Sequence, residues 1–187
     1  MRRRAAVAAG LAAALAATSA LAGEPVLPFG GPFALVDHDG RPRRDTDFRG
    51  RHLLVYFGYT SCPDLCPLGL DTVAQALALL GPRAGTVQPL FVTVDPARDT
   101  PAVLRDYLAA FDSRIVGLTG GEADIRAVAK AYRVHRRLVR TASEGGATLI
   151  DHGSLTYLMG PDGAFVTLFP HGTTPERMAE VVGTYLG

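Results

Sequence analysis

The chain has 187 residues, 48% of them hydrophobic and 20% charged, with 19 basic against 18 acidic side chains. That is ample apolar material for one compact core and too little length for two ordinary domains. The near balance of charge excludes a nucleic-acid binder or a protein drawn to anionic lipid by a basic face.

Residues 1–22 have the parts of a secretory signal: Met1-Arg2-Arg3-Arg4, an alanine-rich apolar run, and Ala20-Leu21-Ala22 as a small-residue cleavage site. Cleavage after Ala22 is predicted, leaving residues 23–187 as a single domain with a formal charge of −2, three arginines fewer than the full chain. The alternative is an uncleaved anchor, in which case the domain sits on the inner membrane facing the periplasm. Either way the sequence predicts export to the periplasm, an oxidising compartment where an accessible dithiol closes unless a reductant keeps it open.

Residues 33–38 alternate and meet Asp39-Gly40, a hairpin turn signal. Residues 53–57 are an unbroken apolar run, expected as a strand buried on both faces. A helix is predicted over residues 68–80, with Leu70, Val73, Ala74 and Leu77 on one face and a stop at Gly81-Pro82. Residues 87–94 read as a second buried strand, and Thr100-Pro101 as the cap of a helix carrying Leu104, Tyr107, Leu108 and Phe111. A short apolar segment at 115–118 and a helix bearing Ile125, Val128, Ala129 and Tyr132 follow. Residues 134–150 read as a loose, early-basic hairpin with Gly145-Gly146. Segments 154–159 and 164–169 flank the turn Gly160-Pro161-Asp162-Gly163, and a last helix capped by Thr174-Pro175 turns Met178, Val181, Val182 and Tyr185 inward. The order, hairpin, βαβ, extra helix, ββα, resembles the thioredoxin-like α/β fold with an N-terminal β-hairpin and an inserted helix.

Both cysteines lie in Thr60-Ser61-Cys62-Pro63-Asp64-Leu65-Cys66-Pro67, where the first buried strand hands over to a helix. A thiol at a helix N-terminus feels its positive end, which favours thiolate and lowers the pKa. Pro67 suits the first helical position, and Pro63 and Asp64 suit a tight turn. Three intervening residues let the pair close as a disulfide or hold one soft cation, and spacing alone does not choose. A purely structural disulfide gains little from so small a loop. In an open sheet, ligands bind beyond the carboxyl ends of the parallel strands; Cys62 follows the first such strand and Asp95 the second.

His152, in Asp151-His152-Gly153 just ahead of the last hairpin, is the histidine that this fold turns toward the cysteines. The other four, His38, His52, His135 and His171, read as solvated or capping. Two thiolates and an imidazole make a soft three-donor set for Cu(I), and an added oxygen donor would accommodate Cu(II). A structural zinc site would need a fourth protein ligand. Asp151 is a candidate to orient the imidazole, and Asp95 to tune the site or meet a partner. Asp99 and Thr100 are read as helix caps. The basic stretch Arg133, His135, Arg136, Arg137, Arg140 reads as a solvated loop or a dock for an acidic partner.

Four segments in register carry a family resemblance: residues 56–67, Val94-Asp95-Pro96 with Arg98-Asp99-Thr100-Pro101, Gly117-Leu118-Thr119-Gly120, and Asp151-His152 with Tyr157-Leu158 and Pro161-Asp162-Gly163. On these the chain resembles the Sco/SenC family of copper proteins that assemble cytochrome oxidase. The resemblance implies copper ligands at Cys62, Cys66 and His152, an acidic residue linked to the site at Asp95, and a cytochrome c oxidase subunit as recipient. It departs at Gly153, where the family has serine. It implies either delivery of copper to the binuclear copper centre or reduction of the recipient's cysteines. A copper donor or a thiol reductant protein would be the second partner. The alternative is a thiol-disulfide oxidoreductase using Cys62 and Cys66 as its catalytic pair. A thiol peroxidase, with Thr60 near Cys62, is a third reading, which leaves His152 without a role.

Overall fold

The computed structural model describes residues 29–140, 148–152 and 154–187. The predicted leader, Gly145-Gly146 and Gly153 lie outside the described residues.

The first hairpin forms as the sequence predicts, with β1 (Ala34–Asp37) paired to β2 (Pro42–Arg44). Its turn is held from inside. The buried Asp37 carboxylate accepts the Asp39 and Arg41 amides, each at 2.9 Å, and Arg43 Nε at 2.8 Å, while Gly40 takes φ +82°, a region costly for other residues.

Strands β3 (His52–Gly58) and β4 (Val87–Thr93) lie parallel at the centre of the sheet, with Val55 opposite Leu90. Almost every residue in them is buried, which explains why neither alternates in sequence. They are joined by α1 (Leu65–Leu80), and a 3-10 segment over Gly81–Thr86 begins where the helix was expected to stop. The helix starts three residues earlier than the periodicity indicates, so Cys66 is its second residue and Pro67 its third. Proline is tolerated there because N–H groups of the first turn have no intrahelical acceptor.

After β4 comes α2 (Pro101–Leu108), whose Thr100 cap accepts the Val103 amide at 3.4 Å. Strand β5 (Val116–Thr119) then adds parallel to β4, and α3 (Glu122–Ala131) follows. Next, β6 (Arg136–Arg140) and β7 (Thr148–His152) pair antiparallel as a ribbon of their own. Finally β8 (Thr156–Met159) and β9 (Phe165–Phe169) form the expected hairpin, followed by α4 (Pro175–Tyr185) capped by Thr174. The seven-stranded sheet has the order β2-β1-β5-β4-β3-β8-β9. Tyr185, predicted inward, is 48% exposed, whereas Met178, Ala179 and Val182 carry the buried face of α4.

Two apolar clusters cover the sheet. One joins Leu54, Val73, Leu77 and Leu158 to Met178 and Val182, and so packs α1 and α4. The other joins Phe57, Phe91, Leu104, Leu118, Ile125 and Tyr157 with both cysteines. Each such side chain stabilises the fold by roughly 1.5–3 kcal/mol through burial. The sulfurs are therefore part of a rigid core, not of a surface loop.

Candidate metal centre at the ends of the parallel strands

The carboxyl ends of β3 and β4 are stitched together by the Val94 amide, which donates to the Gly58 carbonyl at 2.8 Å. Beyond this stitch the chain turns through residues 59–64 into α1, carrying Cys62 at the rim, 9% exposed, and Cys66 fully buried beneath it. Neither cysteine is in a disulfide, and their side chains are hydrogen-bonded to each other.

Cys66 fits there because residue 58 is glycine. A Cβ on Gly58 would stand 2.9 Å from Cys66 Sγ and 2.7 Å from Phe91 Cε2, inside contact distance of both. Gly69 does the same for Tyr56, whose ring would lie 2.7 Å from an added Cβ. The Tyr56 hydroxyl donates to the Leu65 carbonyl at 3.2 Å and lies in hydrogen-bond range of Cys66 Sγ and of the Ser154 side chain.

Burial pushes the Cys66 thiol up from its ordinary value; the Tyr59 amide donating to its sulfur works against this, and the Cys62 side chain adds to it. The lowered pKa expected at a helix N-terminus does not hold for this cysteine, because desolvation disfavours the thiolate more than the helix end favours it.

Asp99, read from sequence as a helix cap, has another task. Its carboxylate is fully buried and accepts the Thr60 amide at 3.1 Å, the Thr60 hydroxyl at 2.6 Å and the Thr93 hydroxyl at 2.6 Å. It clasps the cysteine turn to the end of β4. The Thr60 hydroxyl is thereby directed at Asp99, which removes the placement on which the peroxidase reading drew. Asp95 is buried and ion-paired with Arg98, and its backbone carbonyl receives the Arg98 and Asp99 amides.

Asp151 and His152 are strand residues at the end of β7, not loop residues as expected. Only their backbone is described. In the ribbon His152 stands opposite Arg136. Arg136 Nε donates to the Val94 carbonyl, and its guanidinium pairs with Glu122, Nη2 to Oε2 at 3.1 Å. One end of the ribbon is thus tied to the end of β4, which is stitched to the end of β3 that leads into the cysteine turn. Two residues beyond His152, Ser154 reaches the Tyr56 hydroxyl beside Cys66. Among the described residues, no group of three His, Cys, Asp or Glu side chains is arranged to hold a metal; the two thiols supply the soft half of such a set.

Of the other histidines, His38 is partly exposed and also structural: its Nδ1 accepts the Gly117 amide at 2.9 Å, tying the first hairpin to β5.

Comparison with known proteins follows the same line. The family model described as SCO1/SenC matches residues 22–187. The chain belongs to the SCO1/SenC family. It is 42% identical over 157 residues to the protein SenC of Rhodobacter capsulatus, covering 84% of this chain and 70% of that one. To the protein sco1 of Schizosaccharomyces pombe it is 40% identical over 158 residues, or 83% of this chain but only 60% of that relative's length. Among solved structures, Bradyrhizobium japonicum ScoI with copper bound superposes with a TM-score of 0.77 at 41% identity, covering 84% of this chain and 99% of that one. The SCO1/SenC fold here is the thioredoxin-like arrangement that the order of elements predicts.

Proposed function

We propose that this chain is a copper metallochaperone that holds one copper ion as cargo between Cys62, Cys66 and His152. It delivers the ion to, or prepares the cysteines of, the binuclear copper site of a cytochrome c oxidase subunit. The observation that carries this reading is the pair of unbridged thiols in mutual contact at the carboxyl ends of β3 and β4. The end of β7 is tethered to the same edge through Arg136. Two thiolates with an imidazole suit Cu(I), and an oxygen donor would extend the set to Cu(II). Membership in the SCO1/SenC family and the copper bound by the Bradyrhizobium japonicum relative support the choice of metal. Asp95 and Asp151 would act from outside the ligand set, Asp95 through Arg98 and Asp151 by orienting the imidazole. The protein works in the periplasm behind the leader of residues 1–22.

The test is copper stoichiometry under reducing conditions for His152→Ala beside the Cys62→Ser/Cys66→Ser double variant. The double variant loses copper, and His152→Ala loses affinity. Retention of parental affinity by the histidine variant would refute the three-ligand set.

The same thiols support a second reading as a thiol-disulfide oxidoreductase, because they lie close enough to pair. In that reaction the dithiol gives two electrons and two protons to a partner disulfide and becomes a disulfide itself. Reduced, metal-free protein offered an oxidised oxidase-subunit fragment separates the two: two thiols lost here and two gained there, without later copper transfer, select the oxidoreductase.

A further inference from the structure

Among the described residues five large apolar side chains stand exposed, and three of them, Leu65, Leu68 and Val103, belong to the first turns of α1 and α2. Both helices begin at the carboxyl edge of the parallel strands. The first starts directly after the cysteine turn; the second starts after Asp99, whose carboxylate clasps that turn at Thr60. Leu65 and Leu68 stand three residues apart and so share a face of α1. They are 42% and 57% exposed and Val103 is 40% exposed, whereas Cys62, in the turn that both helix starts adjoin, is 9% exposed.

Leu68 is also the lip of a groove of about 370 Å³ walled by Tyr56, Ser154, Thr156 and Met178. The Tyr56 hydroxyl donates to the Leu65 carbonyl at 3.2 Å, so the groove and the apolar rim are continuous. Apolar residues scattered singly over a surface need no explanation, but a cluster beside one reactive group marks a contact surface.

What covers this rim follows from the chemistry it surrounds. A disulfide exchanges by direct attack of one sulfur on another, and a metal ion passes between proteins only when the receiving sulfurs reach it. Either reaction presses a partner's cysteine onto Cys62, and the residues around that cysteine onto the rim. A partner segment with polar flanks would lose its hydration there without finding hydrogen bonds, since none of the three rim side chains offers one. Apolar flanks gain from the same burial.

We infer that Leu65, Leu68 and Val103 form the docking rim for the protein that receives copper or electrons from Cys62. Its occupant is a protruding, cysteine-bearing loop of that partner with apolar side chains on both sides of the cysteine, one of them entering the groove beside Leu68. The inference rests on the proposed function and deepens it by naming the surface that selects the partner. In transfer the ion leaves Cys62 and Cys66 for the recipient's thiols, and the protons that those thiols release end on Cys62 and Cys66. The rim side chains carry no donor atom and hold no part of the ion, so they govern the encounter and not the affinity for copper.

The test compares the full-length parent with a Leu68→Ser/Val103→Ser double variant, with Leu68→Met, which keeps the apolar surface, and with Leu79→Ser. Leu79 is the matched control, 57% exposed like Leu68 and on the same helix but near its other end. Two second-order rates are read: Cu(I) transfer from loaded protein to a reduced, copper-free oxidase-subunit fragment, and thiol exchange of reduced, metal-free protein with the oxidised fragment. In whichever reaction the parent performs, the double variant is roughly 10–100-fold slower, as truncation of central interface contacts predicts. Leu68→Met and Leu79→Ser stay within about twofold, as ordinary surface substitutions do. Cu(I) affinity against a chromophoric chelator and alkylation of Cys62 by iodoacetamide, a probe too small to need the rim, stay parental in all of them. A double variant that reacts with the fragment at the parental rate would overturn the inference and leave the copper site standing. A double variant that loses copper affinity or Cys62 reactivity in step with transfer would overturn it too, because the substitutions would then act on the sulfurs themselves. A parent that neither passes copper to the fragment nor exchanges thiols with it removes the proposed function, and this inference with it.

Discussion

Asp99→Ala is the most informative perturbation of the scaffold, because three bonds from two different strand ends converge on one buried carboxylate. Two of the donors are hydroxyls, of Thr60 and Thr93, which can rotate toward other acceptors when the carboxylate is gone. The third is the Thr60 amide, which cannot. A hydrogen bond to a charged group contributes roughly 1.5–3 kcal/mol, and a buried donor stranded without a partner costs about 1–3 kcal/mol. Counting one full loss at the amide and partial recovery at the hydroxyls, the substitution destabilises the reduced, metal-free protein by about 3 kcal/mol. That is about two orders of magnitude in the folding equilibrium. Urea unfolding reads it as a lower midpoint with an unchanged slope. Hydrogen exchange at the Thr60 amide reads it locally, as lost protection in the cysteine turn. In the cycle with Thr93→Val the two changes are non-additive by about 0.5–3 kcal/mol, because the residues share the bond. A loss under about 1 kcal/mol with the Thr60 amide still protected would show that the turn is shaped by its prolines alone, and the clasp argument would fail.

Three further outcomes follow from the same geometry. Gly58→Ala forces a methyl group against Phe91 and Cys66 Sγ, so it lowers stability by about 1–3 kcal/mol as overpacking does; an unchanged melting temperature and copper stoichiometry would contradict the close approach. Cys62, at the rim, reacts with iodoacetamide ahead of Cys66, which is fully buried and whose thiol is pushed up by burial; peptide mapping after brief alkylation reads the order, and preferential labelling of Cys66 would reverse the assignment. Asp37 is held below its ordinary value: burial opposes this, but the Arg41 and Asp39 amides and the Arg43 guanidinium outweigh it. A carboxylate depressed in the folded state stabilises above its unfolded pKa, so its contribution is complete at neutral pH and disappears as pH falls below about 4. Asp37→Asn is therefore less stable than the parent at pH 7, and the gap narrows in acid; parallel denaturation midpoints across that range would rule the contribution out.

The strands and helices were legible because their signals are local. Residues 53–57 and 87–94 have no polar alternation, and that alone places them mid-sheet. Thr100-Pro101 and Thr174-Pro175 announce helices that start where the caps stand. The cysteine pair was equally visible. What sequence could not reveal is what holds the pair in place. Asp99 looks like a cap because a cap is the local use of aspartate before a helix; its real partners include Thr60, 39 residues away. Gly58 gives no sign of the sulfur and ring that cross it, since a glycine's role lies in what approaches it. The strand character of Asp151 and His152 was hidden because it depends on pairing with residues 136 and 137, not on any pattern of their own.

The β6–β7 ribbon is a two-stranded sheet of its own, separate in its strand pairing from the seven-stranded sheet. Two donors of the proposed trio thus belong to the core, and the third lies on a ribbon joined to the strand ends at Arg136. For a carrier, the consequence is that the two sulfurs and the proposed histidine are attached to separate sheets, so their spacing is set by the joint at Arg136 and not by the strand pairing that fixes the cysteines.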